Sequence, residues 1–295
     1  MDPEGVVTTA GIGRHTVART WELTPRLISA FAAGVDDPNP AYLDDTRPGG
    51  LVGHPGLVFT FQWNSRHMLG DTQHPATARR GVHASIDARF LRRFRQGDAI
   101  TCQGRTIEVR QIAPGVLVLQ RFTMRDVQGD DVAVVDFGGI VRGARTDGPD
   151  VSIEPLSEVP APSPQPPEAE PIWVAHVAIA PTAAHTYTEC ADIWNPIHTE
   201  RSVALAAGLP DIILHGSATL TIAIREVVNR SLGGDPVRVA RLVGQLRAMV
   251  IPGEHITVRC WEDRVAVDGS GREIFFDVLN AAGQQAVASG LIVAR

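Results

Sequence analysis

The chain has 295 residues, 44% hydrophobic and 20% charged, with a net charge of −6. That length supports two ordinary domains, each with its own core, and the composition is globular, neither disordered nor fibrous, with an acidic balance that argues against nucleic acid as a partner. All 27 basic residues are arginine, which excludes chemistry built on a Schiff-base, phosphate-loop or kinase lysine.

The segment Met1-Asp2-Pro3-Glu4 has neither the basic flank nor the apolar stretch of a leader, and no apolar run approaches the roughly 20 residues of a membrane span, so the expectation is a cytoplasmic protein with no membrane partner. In chain order, a short helix is expected over 25–34, followed by an Asn-Pro loop and a longer helix over 56–69. Strands follow over 100–109, 116–126 and 132–141, separated by turns at Pro114-Gly115 and Gly129-Asp130. Residues 155–171 are too proline-rich for a helix or a central strand and read as an extended linker. The order then repeats: a helix over 181–191, a second Asn-Pro loop, a long helix over 216–232 ended by Gly233-Gly234, and strands over 256–267, 273–280 and 285–293.

The repeat is visible in the residues. Asn39-Pro40 and Asn195-Pro196 stand 156 positions apart, as do Gly97-Asp98-Ala99-Ile100-Thr101 and Gly253-Glu254-His255-Ile256-Thr257. One helix with an antiparallel meander, present twice, is an α+β pattern whose two sheets can join. The expected organisation is a first unit over 1–150, a linker over 151–171 and a second unit over 172–295. The two loops differ where chemistry needs them to agree, with His198 in the second unit and Tyr42 in the first. An ordinary phenol is a poor base at neutral pH, which points to a non-catalytic, shaping first unit.

Cys190-Ala191-Asp192-Ile193-Trp194-Asn195-Pro196-Ile197-His198, followed by Asp211-Ile212-Ile213-Leu214-His215-Gly216 ahead of the long helix, resembles the MaoC-like family of (R)-specific enoyl-CoA hydratases and 3-hydroxyacyl dehydratases. The resemblance covers both halves and implies a double hotdog, two tandem units each with a central helix wrapped by an antiparallel sheet. It further implies a hydro-lyase acting on trans-2-enoyl or (R)-3-hydroxyacyl thioesters of CoA or acyl-carrier protein, without cofactor or metal. His198 would be the acid/base and Gly216 the backbone donor to the thioester oxygen, with Asn195 and Ser217 lining the site. Addition of water across an activated double bond needs a group to move the proton and a donor where enolate charge develops, and a histidine near a helix N-terminus supplies both.

The family's aspartate position falls on Ile193, and Asp192 stands one residue early. Either a one-residue bulge brings Asp192 to His198, or His198 works without a carboxylate, or catalysis is lost. Asp37 keeps the aspartate position in the first half, so a composite Asp37–His198 site is a further arrangement, and Asp192 has the alternative task of capping the preceding helix. His215 either orients the loop or is a core histidine; Ser217 and Thr219 either bind ligand or cap the helix. A strand over Arg89–Arg95 would put Phe90, Arg92 and Phe94 on one face, the arginines being either solvated or, as Arg92 and Arg93, receivers of CoA or pantetheine phosphates. A thioesterase on the same fold and a non-catalytic acyl-thioester binder are the alternative functions. A double unit can stand as a monomer or pair as a homodimer.

Overall fold

The computed structural model describes residues 4–65, 74–164 and 168–295. The first half contains β1 (Val6–Val7), β2 (Arg19–Glu22), α1 (Pro25–Gly34), α2 (Pro40–Leu43), α3 (Leu57–Ser65), α4 (Pro75–Ala78), β3 (Gly81–Phe90), β4 (Ala99–Ile112), β5 (Gly115–Arg125), β6 (Asp131–Arg142), β7 (Arg145–Thr146) and β8 (Val151–Ser152). The second contains β9 (Trp173–Ala178), α5 (Ala183–Ala191), α6 (Arg201–Ala206), α7 (Gly216–Ser231), β10 (Val239–Leu246), β11 (His255–Val265), β12 (Arg272–Asn280) and β13 (Gln285–Ala294). All six meander strands expected from sequence form within three residues of their expected limits. The helix expected over 56–69 is present to Ser65, and its last four positions lie outside the described residues, as do 165–167 of the linker. Among the described residues no helix is long and apolar enough to cross a membrane.

One antiparallel sheet runs β2-β4-β5-β6-β3-β10-β13-β12-β11-β9, so the second five strands repeat the first five in reverse order about the β3–β10 seam. Alternation decides which face is buried. In β11, Ile256, Val258 and Cys260 turn inward while Thr257 and Arg259 turn out, and in β4 Ile100 and Cys102 do the same. The inner face wraps α3 and α7. Leu220, Ile224 and Val227 mark the fully buried side of α7, while α3 buries Leu57 to Gln62 without interruption. The architecture is the expected α+β pair of helix-in-sheet units sharing one core.

Each half braces the other where α1 and α5 end. Asp36 and Asp192, 156 positions apart, both take φ 53, the left-handed conformation that terminates these helices. The carbonyls left open there are satisfied by the opposite half's central helix. Arg225 of α7 donates to Val35 O at 2.9 Å and Asp36 O at 2.8 Å, while Thr60 and Asn64 of α3 donate to Ala191 O and Asp192 O, each at 2.8 Å. Gly34 packs against Cys190, its own counterpart, so closely that a Cβ would stand 2.7 Å from the Cys190 Cβ. Replacing Arg225 with methionine, which keeps the stem and removes the donors, is expected to cost about 2–4 kcal/mol by leaving buried carbonyls unpaired. Urea unfolding of the two proteins measures it.

The linker crosses the outer face of the sheet. Glu154 pairs with Arg105 of β4 and Arg121 of β5, Ser157 with Arg89 of β3, Glu158 O with Arg241 of β10 at 2.8 Å, and Ala161 O with Arg264 of β11 at 2.8 Å. Ser163 then bonds Glu262 through its N–H at 2.8 Å. From β4 to β11 is seven strand spacings, about 34 Å at 4.8 Å each; the nine residue steps from Glu154 to Ser163 reach about 28 Å in extended polyproline geometry, and the side chains they pair with span the rest.

The arginine-rich stretch corrects one expectation. Strand β3 ends at Phe90, because the N–H groups of Leu91 and Arg92 both turn to Val132 O, at 2.9 and 3.3 Å, and the chain leaves the sheet. The alternation expected through Arg95 therefore stops there: Phe90 and Phe94 are buried, and Arg92 lies outside among carboxylates.

Candidate active site

In the second half, the loop between α5 and α6 is shaped by Asn195, whose side chain accepts from the Ile197 N–H as Pro196 opens a single 3-10 turn ending at His198. The His198 Nδ1 lies 2.8 Å from Ile213 O. A carbonyl only accepts, so the proton sits on Nδ1 and the lone pair on Nε2, which has no protein partner among the described residues. Burial pushes the imidazole down to about 4 despite the bond to Ile213, so it is a neutral base at pH 7.

His198 stacks on His215, with ring centroids 3.6 Å apart and planes 26° from parallel. His215, buried at the head of α7, reaches back with Nε2 to Ile193 O at 3.0 Å, and burial followed by the neighbouring His198 pushes it down further than its partner. Gly216 follows at the first helical position. Its N–H and that of Ser217 meet no protein acceptor among the described residues, and a Cβ on Gly216 would stand 2.5 Å from Leu246 Cδ1. An open donor pair at a helix N-terminus, next to an unprotonated imidazole nitrogen, is an arrangement for polarising a carbonyl and moving a proton beside it.

Two of the remaining candidates do other work. Ser217 is buried next to the Tyr187 hydroxyl, and Thr219 donates to His215 O at 3.2 Å as a helix-start bond. Asp192 does not reach the site: it is exposed, and its carboxylate takes a 3.3 Å bond from Asn64. The bulge that would bring it inward is absent, since Asp36 and Asp192 share a φ of 53 and a 156-residue offset, and the Asn-Pro pairs beyond them keep the same offset. Ile193 is thus a replacement, not a displacement, and its buried side chain stands where Asp37 stands in the first half. The composite arrangement fails too, because Asp37 faces His54, with Oδ2 3.4 Å from Nε2, and accepts from the Asn39 N–H at 3.1 Å.

The first half shows how such a site is closed. Tyr42 fills the place of His198, fully buried with its ring 4.7 Å from that of His54, and burial raises its hydroxyl well above the ordinary value. Counting from the two capping histidines, Pro55 takes the place of Gly216 and has no N–H to give, while the Gly56 N–H is already bonded to His54 Nδ1 at 2.9 Å. Setting His54-Pro55-Gly56 against His215-Gly216-Ser217 reveals this from sequence alone. A pocket of about 560 Å³ opens beside this first-half loop, between Asn39, Pro40 and Arg47 and the turn after α7. It is not the space next to His198.

Of the phosphate candidates, Arg92 is taken by Asp98 at 2.7 Å and Asp126 at 3.2 Å, whereas Arg93 meets no acceptor among the described residues. No group of metal-ligating side chains occurs among the described residues.

The two neutral imidazoles also predict a pH response of stability. An unfolded histidine takes up its proton near pH 6.5, whereas His198 in the fold resists it to about 4 and His215 further still. The unfolded state therefore binds more protons between these values, and stability, full above about pH 6.5, falls as pH is lowered through 6 to 4. Urea midpoints at pH 7.5 and 5 measure the loss, expected at a few kcal/mol.

Comparison with known proteins gives a consistent picture. Residues 162–280 match the MaoC like domain and residues 10–137 the FAS1-like dehydratase domain region. The chain is similar to the peroxisomal enoyl-CoA hydratase 2 of Arabidopsis thaliana, 33% identical over 101 residues, which are 34% of this chain and 32% of that protein. An enoyl-CoA hydratase of Mycobacterium tuberculosis is 35% identical over 97 residues, 33% of this chain and 34% of that one. The chain thus spans about a third of the length of the curated relatives it matches. Among solved structures, a MaoC-like dehydratase from Phytophthora capsici superposes with a TM-score of 0.79 at 20% identity, covering 97% of both chains. A Mycobacterium tuberculosis protein described as a double hotdog superposes with a TM-score of 0.62 at 17% identity, over 96% of this chain and 95% of that one. At these identities the superpositions speak for the fold.

Proposed function

Because this chain joins a FAS1-like dehydratase region to a MaoC-like domain in one double-hotdog polypeptide, we propose that it is a hydro-lyase that adds water to trans-2-enoyl thioesters and removes it from (R)-3-hydroxyacyl thioesters, carried on CoA or an acyl-carrier protein. The observation that carries this reading is the unprotonated, unpartnered Nε2 of His198 beside the open N–H groups at the head of α7. In hydration, Nε2 takes a proton from water as the water oxygen bonds to the β-carbon. The π electrons move onto the thioester oxygen, where the Gly216 N–H and the helix dipole hold the developing charge. With Ile193 in the carboxylate's place, the same imidazole returns its proton to the α-carbon, and one base on one face gives syn addition. The first half is assigned to shaping the substrate site, and no cofactor enters the scheme.

Loss of enoyl-thioester absorbance with enoyl-CoAs of short and medium length tests the proposal. Hydration without thiol release supports it, and thiol release would instead identify a thioesterase. Ile193 favours a second reading, a non-catalytic acyl-thioester binder, which predicts thermal stabilisation by acyl-CoA with no turnover.

A further inference from the structure

We infer that His215 is a positioning residue for the proton-transfer step, holding His198 and the Gly216 N–H in fixed relation through its ring and its Nε2–H. This rests on the hydration reading above. His215 touches both parts at once. Its ring lies 3.6 Å from that of His198, and its backbone continues directly into Gly216. Its Nε2 meets Ile193 O at 3.0 Å and the Thr188 hydroxyl at 3.4 Å, so the proton is on Nε2, donated to a carbonyl of the loop that leads to His198. Ile213 O grips the other edge of His198 at 2.8 Å. The base is thus held between positions 213 and 215 of the strip that ends in the oxyanion donor. The His215 Nδ1 is buried without a partner, an unfilled acceptor that packing alone does not ask for.

The stacked ring also covers one face of His198, and burial is what keeps that imidazole in the form that accepts a proton. The other polar groups on the elements around them are turned elsewhere or carry no charge. Helix α5 presents the Tyr187 ring and Thr188, Asp192 is bonded to Asn64, His185 to Thr199 O, and Arg201 to Asp211.

Histidine NMR on the unaltered protein gives the first test. His198 is expected as the Nδ1–H tautomer and His215 as the Nε2–H tautomer; finding His215 protonated on Nδ1 overturns the tether. In His215→Asn, kcat is expected to fall about 10- to 100-fold with KM little changed, and the His198 midpoint to move up from about 4 toward the ordinary value of about 6.5. His215→Phe, which keeps a ring against His198 but has no N–H for Ile193 O, is expected to recover part of kcat. A folded His215→Asn with unchanged kcat and unchanged His198 titration reduces His215 to core packing. If the unaltered protein shows no hydration, the functional reading falls by itself, while the tautomers and the His198 titration still test the positioning.

Discussion

His198→Ala is expected to lower kcat/KM for enoyl-thioester hydration by about a thousandfold, within the range that general acid/base catalysis supplies. In the proposed scheme one imidazole performs both proton transfers, so no second group takes over when it is removed. The fold should survive, because the side chain is only partly buried and its single protein bond goes to a backbone carbonyl at the loop edge. Binding should survive as well, since the donors at the head of α7 remain, and the variant is expected to retain its thermal shift with acyl-CoA. A folded His198→Ala that hydrates at the rate of the unaltered protein would remove this residue from the mechanism. The unaltered enzyme should also keep its activity to unusual acidity, with the acid limb of kcat/KM near the His198 value of about 4, not 6.5.

The converse experiment adds what the loop lacks. Ile193→Asp is expected to raise the hydration rate about 10- to 100-fold, by restoring a carboxylate beside the imidazoles. The first half shows where that carboxylate would lie: Asp37 is buried, accepts the Asn39 N–H at 3.1 Å and approaches His54 Nε2 to 3.4 Å. Position 193 has the same loop ahead of it, with the Asn195 N–H and His215 Nε2 in the corresponding places. An anion there favours the charged imidazole, so the acid limb should move up from about 4. Exchanging a buried isoleucine for a carboxylate should cost about 1–3 kcal/mol of stability. An unchanged or lower rate in the folded variant would show that Ile193 is no mere loss and that the single-base arrangement stands on its own.

The fold was legible because its periodicities are local. The first parts of β4 and β11 alternate, β5, β6, β12 and β13 are largely apolar runs set off by glycine turns, and the Asn-Pro pairs carry the duplication at a constant offset. The seam strands were harder, since β10 buries Leu242, Val243 and Gly244 in a row instead of alternating, and the arginines after Phe90 imitate a continuing strand whose hydrogen bonds have in fact stopped. In the site, His198, Asn195 and Gly216 came from the resemblance carried by the Asn-Pro-Ile-His loop and the His-Gly ahead of α7. Asp192 misled because a sequence cannot show that a left-handed residue ending α5 points its carboxylate outward to α3. The His198–His215 stack was invisible for the same reason: it joins residues 17 apart through a loop whose path no local pattern encodes.

The taut linker has a consequence for stoichiometry. The two units differ where chemistry separates them, Asp37 against Ile193, Tyr42 against His198 and Pro55 against Gly216, and share the Asn-Pro turn and the histidine ahead of the central helix. Tied by a segment with no slack across the sheet, each unit meets the other at an effective concentration far above that of any second chain. The polypeptide thereby fixes one His198 unit to one Tyr42 unit, a one-to-one heterodimer written into a single strand.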